Sequence, residues 1–294
     1  MGTGINILNL PLGCKAQFLL TSLKMENKTA IVTGGSSGIG LKICDRLLAE
    51  DIQVHGVSRN PARRSARDLF HPVKLDLSDL EAVSNFGKSF VEENGIPDLL
   101  VNNAGYGAFY NWKEFPEEEV IRQSAVLFTA PVLLCKAFAP LMSKAQKGTI
   151  VNLTSLATLY PLPYMPLYNA GKSALSSFTQ SLMLEYPNFP KLIDFRSGDV
   201  RTSFNRSAPK QALLGQPLSM KRAWTQIENQ LEDSPDAENV CKQLFRAVKR
   251  GRHGVRYGGG FFQARIAPLL HRALPDSILR IVLKARYGLY SNRA

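Results

Sequence analysis

Lys28-Thr-Ala-Ile-Val-Thr-Gly-Gly-Ser-Ser-Gly-Ile-Gly40 is a short β-branched run that breaks into a glycine-rich loop. Behind it, Leu41, Ile43, Cys44, Leu47 and Leu48 recur at helical spacing up to Glu50. Strand, glycine turn and helix in that order make a phosphate cradle. Glycines let the backbone approach a pyrophosphate, and the helix N-terminus supplies N–H donors and positive potential. The spacing Gly34-x-x-x-Gly38-x-Gly40 differs from the general G-x-G-x-x-G fingerprint. A glycine cluster is often only a turn; its place between a strand and a helix favours a nucleotide site.

Outward from this unit the same alternation repeats. Strands are expected near 29–33, 53–58, 72–76, 97–103, 148–154 and 192–197, and helices over 39–50, 79–93, 117–145, 167–186 and 237–250. Alternating strands and helices imply an α/β fold, a doubly wound parallel sheet covered on both faces. Val54-His-Gly-Val57 and Asp98-Leu-Leu-Val101 have the continuous apolar character of buried parallel strands. A chain of 294 residues, 45% of them hydrophobic, buries a large core, and one domain is expected.

The second informative stretch is Tyr168-Asn-Ala-Gly-Lys172, thirteen residues after Ser155. On a helix, Lys172 falls one turn beyond Tyr168 on the same face. An ordinary tyrosine has a pKa of about 10. A neighbouring cation favours the phenolate and is expected to lower that value toward the range of a proton-transfer catalyst. An aromatic–aliphatic packing pair is the plain alternative for the motif taken alone.

Thr33-Gly-Gly-Ser-Ser-Gly-Ile-Gly40, Asn102-Asn-Ala-Gly105, Ser155 and Tyr168-x-x-x-Lys172, in register from about Met25 to Thr202, resemble the short-chain dehydrogenase/reductase family in its compact branch. The resemblance implies a Rossmann fold and hydride transfer between a nicotinamide cofactor and a carbonyl or alcohol. It implies that Tyr168 moves a proton to or from the substrate oxygen. Lys172 assists it and bonds the nicotinamide ribose, while Ser155 orients the substrate. Cofactor contacts are implied for Gly34, Ser36, Ser37, Gly38, Ile39 and Gly40, and for Asn102, Asn103, Ala104 and Gly105 along the adenosine ribose. Asp76-Leu77 matches the adenine contact, with a helix-capping Asp as the alternative. Gly198, Val200 and Thr202 match the loop that closes over the nicotinamide.

Two positions depart from the family pattern. Ser197 stands where a proline usually stiffens that loop, so a looser loop is expected. Leu127 stands twenty-eight residues before Ser155, where the family places an asparagine holding a proton-relay water. Slower turnover is expected, and a regulatory nucleotide-binding protein is the alternative function.

Cofactor choice is read at the end of the second strand, where an acid would bond the ribose of NAD. Ser58 and Arg59 occupy that place, followed by Arg63 and Arg64. A guanidinium holds a 2′-phosphate through paired charge-assisted bonds. NADP(H) is therefore expected over NAD(H).

The apolar segment Leu156–Leu167 and Leu213, Leu214, Leu218, Met220 and Trp224 of an expected lid at 203–235 suit an apolar, lipid-, steroid- or retinoid-like substrate. Lys210, Lys221 and Arg222 leave an anionic or thioester-linked substrate open. The net charge is +12, and residues 246–294 hold eleven Lys/Arg against the single acid Asp276. Val255-Arg-Tyr-Gly-Gly259 followed by this tail resembles retinol- and hydroxysteroid-type family members. The basic amphipathic stretch 261–294, set apart from the 25–260 domain, suits peripheral contact with an anionic membrane. No motif supports nucleic-acid binding. Cys14, Cys44, Cys135 and Cys241 form no metal or disulfide pattern, and no metal is expected. Residues 1–24 read as an extension rather than a signal peptide. A cytoplasmic homo-oligomer is expected.

Overall fold

The computed structural model describes residues 28–61, 69–202 and 209–290. The expected extension 1–24, Arg63, Arg64 and residues 203–208 of the expected lid lie outside the described residues.

Seven parallel strands form one sheet: β1 Thr29–Thr33, β2 Gln53–Ser58, β3 Phe70–Lys74, β4 Leu99–Asn102, β5 Thr149–Ser155, β6 Lys191–Ser197 and β7 Gly254–Gly258. Their order is β3-β2-β1-β4-β5-β6-β7. The direction of winding reverses between β1 and β4, and a crevice opens there at the carboxyl ends of the strands. Successive β1 residues face opposite cores. Ala30 and Val32 join one apolar cluster and Ile31 the other, so both faces of the strand are apolar.

Helices α1 Gly38–Ala49 and α6 Ala237–Lys249 cover the first face through Ile43, Leu47, Val240 and Leu244. Helices α2 Leu80–Asn94, α3 Glu117–Lys144 and α4 Pro166–Glu185 cover the second. The α2 start is set by Asp79, whose carboxylate accepts a 2.9 Å bond from the Ala82 N–H. By length and composition α3 could cross a membrane, but 56% of its apolar window is buried in the fold. It is a core helix, interrupted by one π turn at Ala125–Thr129.

Three differences from the sequence expectations matter. β3 runs from Phe70 to Lys74 rather than 72–76; it is an edge strand, which tolerates Pro72. β7 was not expected, because glycines and charges obscure its pattern. It forms where the bare Gly258 backbone admits the Phe195 ring, which a Cβ would approach to 2.5 Å. The lid also contains a helix, α5 Leu218–Glu232, while the basic amphipathic tail is helical, as its pattern suggests, in α7 Ala267–Ala273 after a π turn and α8 Asp276–Arg286. α5 and α8 meet in a third apolar cluster around Phe109, Met165, Met220, Trp224 and Tyr287.

Candidate active site

The glycine loop is built by backbone requirements. Gly34 and Gly38 hold φ of 69° and 53°, which L side chains rarely adopt. A Cβ on Gly40 would lie 2.2 Å from the Gly34 carbonyl oxygen, so only glycine lets α1 start this close to the loop. The Asn103 side-chain amide donates to the Thr33 carbonyl at 2.9 Å. The N–H groups of Asn103 and Ala104 donate to Thr33 Oγ1, both at 3.0 Å, joining the ends of β1 and β4. Ser37 occupies the α1 N-cap without a side-chain bond, and the first turn carries no acid. Its leading N–H groups are thereby left for an anion. Ser36, Ser37, Gly38 and Ile39 line the adjoining cavity, a donor set that fits a pyrophosphate.

That cavity has a volume of about 470 Å³ and extends across the ends of β1, β2, β4 and β5. It brings together Gly34, Ser58, Arg59, Asp76 and Leu77 with Asn103, Ala104 and Gly105. At its other end stand Ser155, Tyr168 and Lys172, with Gly198, Val200 and Thr202 above. Gly40 shapes the loop from behind. Asn102 is buried away from the cavity at 2% exposure, its amide donating to Asn152 at 2.8 Å, and it holds β4 to β5.

Among the polar side chains of the cavity that were not singled out from sequence, two charged ones bear on the site. Arg122 on α3 lies 3.7 Å from the Asp76 carboxylate, and its guanidinium lies over the Tyr106 ring. The Tyr106 hydroxyl donates to Glu119 at 2.8 Å. Burial alone would raise the Asp76 pKa. Hydrogen bonds from Ser78 and the charges of Arg122 and Arg59 outweigh it and hold the carboxyl below its usual value. Only the fold brings α3 to this strand end; no local motif marks Arg122. Asp199, next to Gly198, is the second.

Ser155 ends β5, and its hydroxyl accepts a 3.1 Å bond from the Ala157 N–H. Tyr168 enters from the first turn of α4 and shares a side-chain hydrogen bond with Ser155. One turn further, Lys172 is 5% exposed and donates to the Leu153 carbonyl at 2.6 Å. Burial lowers its pKa to about 8, against the opposing pull of Asp194. The expected depression of Tyr168 is not what the site shows. Burial raises its pKa, the Ser155 bond opposes that, and the charge of Asp199 adds to it. Desolvation of the phenol outweighs its favourable contacts, so Tyr168 is a protonated acid at neutral pH.

Beneath these residues Asp194 is fully buried. It accepts hydrogen bonds from Thr154, from Ser176 at 2.7 Å and from Arg196 Nε at 3.0 Å. Thr154 precedes Ser155 and Ser176 lies one turn past Lys172, so one carboxylate ties together the elements that carry the triad.

Leu127 lies in the π turn, fully buried. It packs on the bare faces of Gly105 and Gly171, where added Cβ atoms would lie 3.0 and 2.8 Å from it. A Cβ on Gly105 would also lie 3.4 Å from Lys172 Nζ, so a methyl group of Leu127 and the lysine ammonium flank the same bare glycine. The loop after β6 is better anchored than Ser197 suggested. Gly198 N–H donates to Gly258 O at 2.7 Å and Asp199 N–H to Gln263 Oε1 at 3.1 Å. Gln263 returns a 2.5 Å bond to the Asp199 carboxylate. Burial raises the Asp199 pKa, opposed by Arg286 and Gln263.

A doubly wound sheet with a glycine-loop cavity and a converging Ser–Tyr–Lys set defines a dinucleotide-dependent oxidoreductase class. The family model for short chain dehydrogenase matches residues 28–211, and the chain belongs to that family of oxidoreductases. It is 28% identical over 278 residues to a 3-ketodihydrosphingosine reductase of Bacteroides thetaiotaomicron, covering 90% of this chain and 100% of that one. A probable short-chain type dehydrogenase/reductase of Helicobacter pylori is 27% identical, with 87% and 98% covered. Among solved structures, a short-chain dehydrogenase from Streptomyces avermitilis superposes with a TM-score of 0.74 at 22% identity, covering 92% and 100%.

Proposed function

We propose that the protein is an NADP(H)-dependent reductase of an apolar ketone. The observation that carries this reading is the convergence of Ser155, Tyr168 and Lys172 on the cavity that the glycine loop opens. When bound, the nicotinamide would supply or accept the hydride. Ser36 to Ile39 would hold the pyrophosphate, with Asn103, Ala104 and Gly105 along the adenosine ribose. Asp76 and Leu77 would flank adenine, while Gly198, Val200 and Thr202 would close the nicotinamide end. Arg59 lines the adenosine end beside Asp76, and the same carboxylate is neutralised by Arg122, which supports a 2′-phosphate there. A short-chain dehydrogenase from Sphingobium yanoikuyae, 21% identical, has been solved with NADPH, and one from Burkholderia phymatum with NAD.

Tyr168, raised in pKa and bonded to Ser155, would donate its proton to the carbonyl oxygen as negative charge develops there. Ser155 would hold that oxygen, and Lys172, cationic below about pH 8, would bond the ribose and stabilise the phenolate left behind. Leu162, Met165, Ile227 and Leu231 line the substrate end, and the name of the Bacteroides relative supports a lipid-like ketone. Ile121 on α3 and Leu184 on α4, 72% and 85% exposed, support a homo-oligomer.

The test is oxidation of NADPH and NADH with a panel of long-chain ketones, steroids, retinoids and acyl thioesters. Tyr168→Phe is expected to lower kcat by ~10²–10⁴ without weakening NADPH binding. Equal rates for wild type and Tyr168→Phe would refute the reading.

A further inference from the structure

Helix α8 has two unlike apolar faces. On one side Leu279 and Tyr287 are 7% and 3% exposed, and Leu283 and Tyr287 pack with Met220 and Trp224 in the cluster over the cavity. On the other side Ile278, Ile281 and Val282 are 44%, 58% and 50% exposed. Counted at 100° per residue, those three form one stripe; Lys284 lies about 60° beyond Ile281, and the exposed Arg280 about 40° further round. The preceding helix, α7, adds Leu269 at 61% exposure and the exposed Arg272. A surface helix ordinarily turns charged residues to water and apolar ones only to the core.

We propose that the α7–α8 pair docks on the anionic cytoplasmic face of a membrane. The exposed stripe would sit at the acyl boundary, with Arg272, Arg280 and Lys284 on the headgroup phosphates. Charge decides against a second copy of the chain as the occupant. Residues 261–290 carry five Lys/Arg and one acid, Asp276, so two such faces repel each other while an anionic bilayer attracts them. Because the inner face of α8 roofs the substrate cluster, a docked protein would hold that cavity against the lipid phase. This last point rests on the apolar-substrate reading; the docking itself does not.

The test is co-sedimentation of the full chain with phosphatidylcholine vesicles, with and without phosphatidylglycerol, and no substrate present. Wild type is expected to sediment with the mixed vesicles and not with phosphatidylcholine alone, and high salt is expected to release it. Arg280→Gln with Lys284→Gln is expected to weaken binding roughly twenty-five-fold, about fivefold for each surface cation. Ile278→Ser with Ile281→Ser is expected to abolish binding while NADPH binding, followed by fluorescence, stays unchanged and reports an intact fold. Absence of wild-type binding to the mixed vesicles would overturn the proposal. So would serine variants that bind vesicles normally but fall from dimer to monomer in light scattering. Loss of ketone reduction with vesicle binding intact would refute only the proposed function.

Discussion

Asp194→Asn tests how the triad is held. The substitution keeps the shape of a fully buried side chain and removes its charge, leaving the Arg196 guanidinium without its carboxylate. Removing one partner of a buried ion pair costs about 3–5 kcal/mol, because the remaining charge is uncompensated. Arg196 is 11% exposed and keeps a 2.9 Å bond to Ser176, which points to the lower end, about 3 kcal/mol. At roughly 2–4 °C per kcal/mol for a chain of this size, thermal unfolding should fall by about 6–12 °C. The same carboxylate raises the Lys172 pKa, against the burial that lowers it to about 8. Without it the lysine loses its proton at lower pH, so the alkaline limb of kcat should move acidward. Asp194→Leu with Arg196→Met restores much of the stability by removing both charges, yet should leave that limb displaced. A calorimetric Tm within 2 °C of wild type together with an unmoved limb would refute this account.

Arg59→Glu should raise KM for NADPH by about 10–100-fold and leave NADH little changed, since a charge-assisted bond is worth about 1.5–3 kcal/mol. Equal effects on both cofactors would show that Arg59 does not touch the 2′-phosphate. Leu127→Asn sets an amide beside Lys172 and should raise turnover in weakly buffered solution, at a stability cost of about 2–5 kcal/mol for the lost leucine. Unchanged turnover would mean that proton relay is not limiting. His55 stacks on His71 at 4.7 Å and against Phe90, and burial, aided by the His71 charge, lowers its pKa to about 4. The unfolded imidazole takes up its proton near 6.5. Stability should therefore be full above pH 6.5 and decline by up to about 3 kcal/mol toward pH 4. His55→Phe should flatten that decline in urea titrations; an unchanged slope would assign it to other groups.

The core elements were legible because their chemistry is local. The run Thr29–Thr33 is apolar on both faces, as a central parallel strand must be, and the glycines after it meet positive φ and close approach demanded within a few residues. Tyr168 and Lys172 share a helix, so their spacing alone placed them together. β7 and α5 were not legible, since a glycine-flanked charged strand and a partly polar helix have patterns that only packing against Phe195 or Phe109 explains. The direction of the Tyr168 pKa also escaped a reading based on one neighbouring cation, because desolvation depends on every atom around the hydroxyl.

The amino-acid order determined the alternation of strands and helices, the glycine loop and the placing of Tyr168 and Lys172 on one helix face, because each depends on contacts a few residues apart. Only the tertiary structure decided that Arg122 meets Asp76, that Asp194 lies beneath Lys172, and that Gln263 secures the loop carrying Asp199. Those partners stand 46, 22 and 64 positions apart in the chain, and no local pattern encodes which distant side chains a closed sheet brings within hydrogen-bond reach.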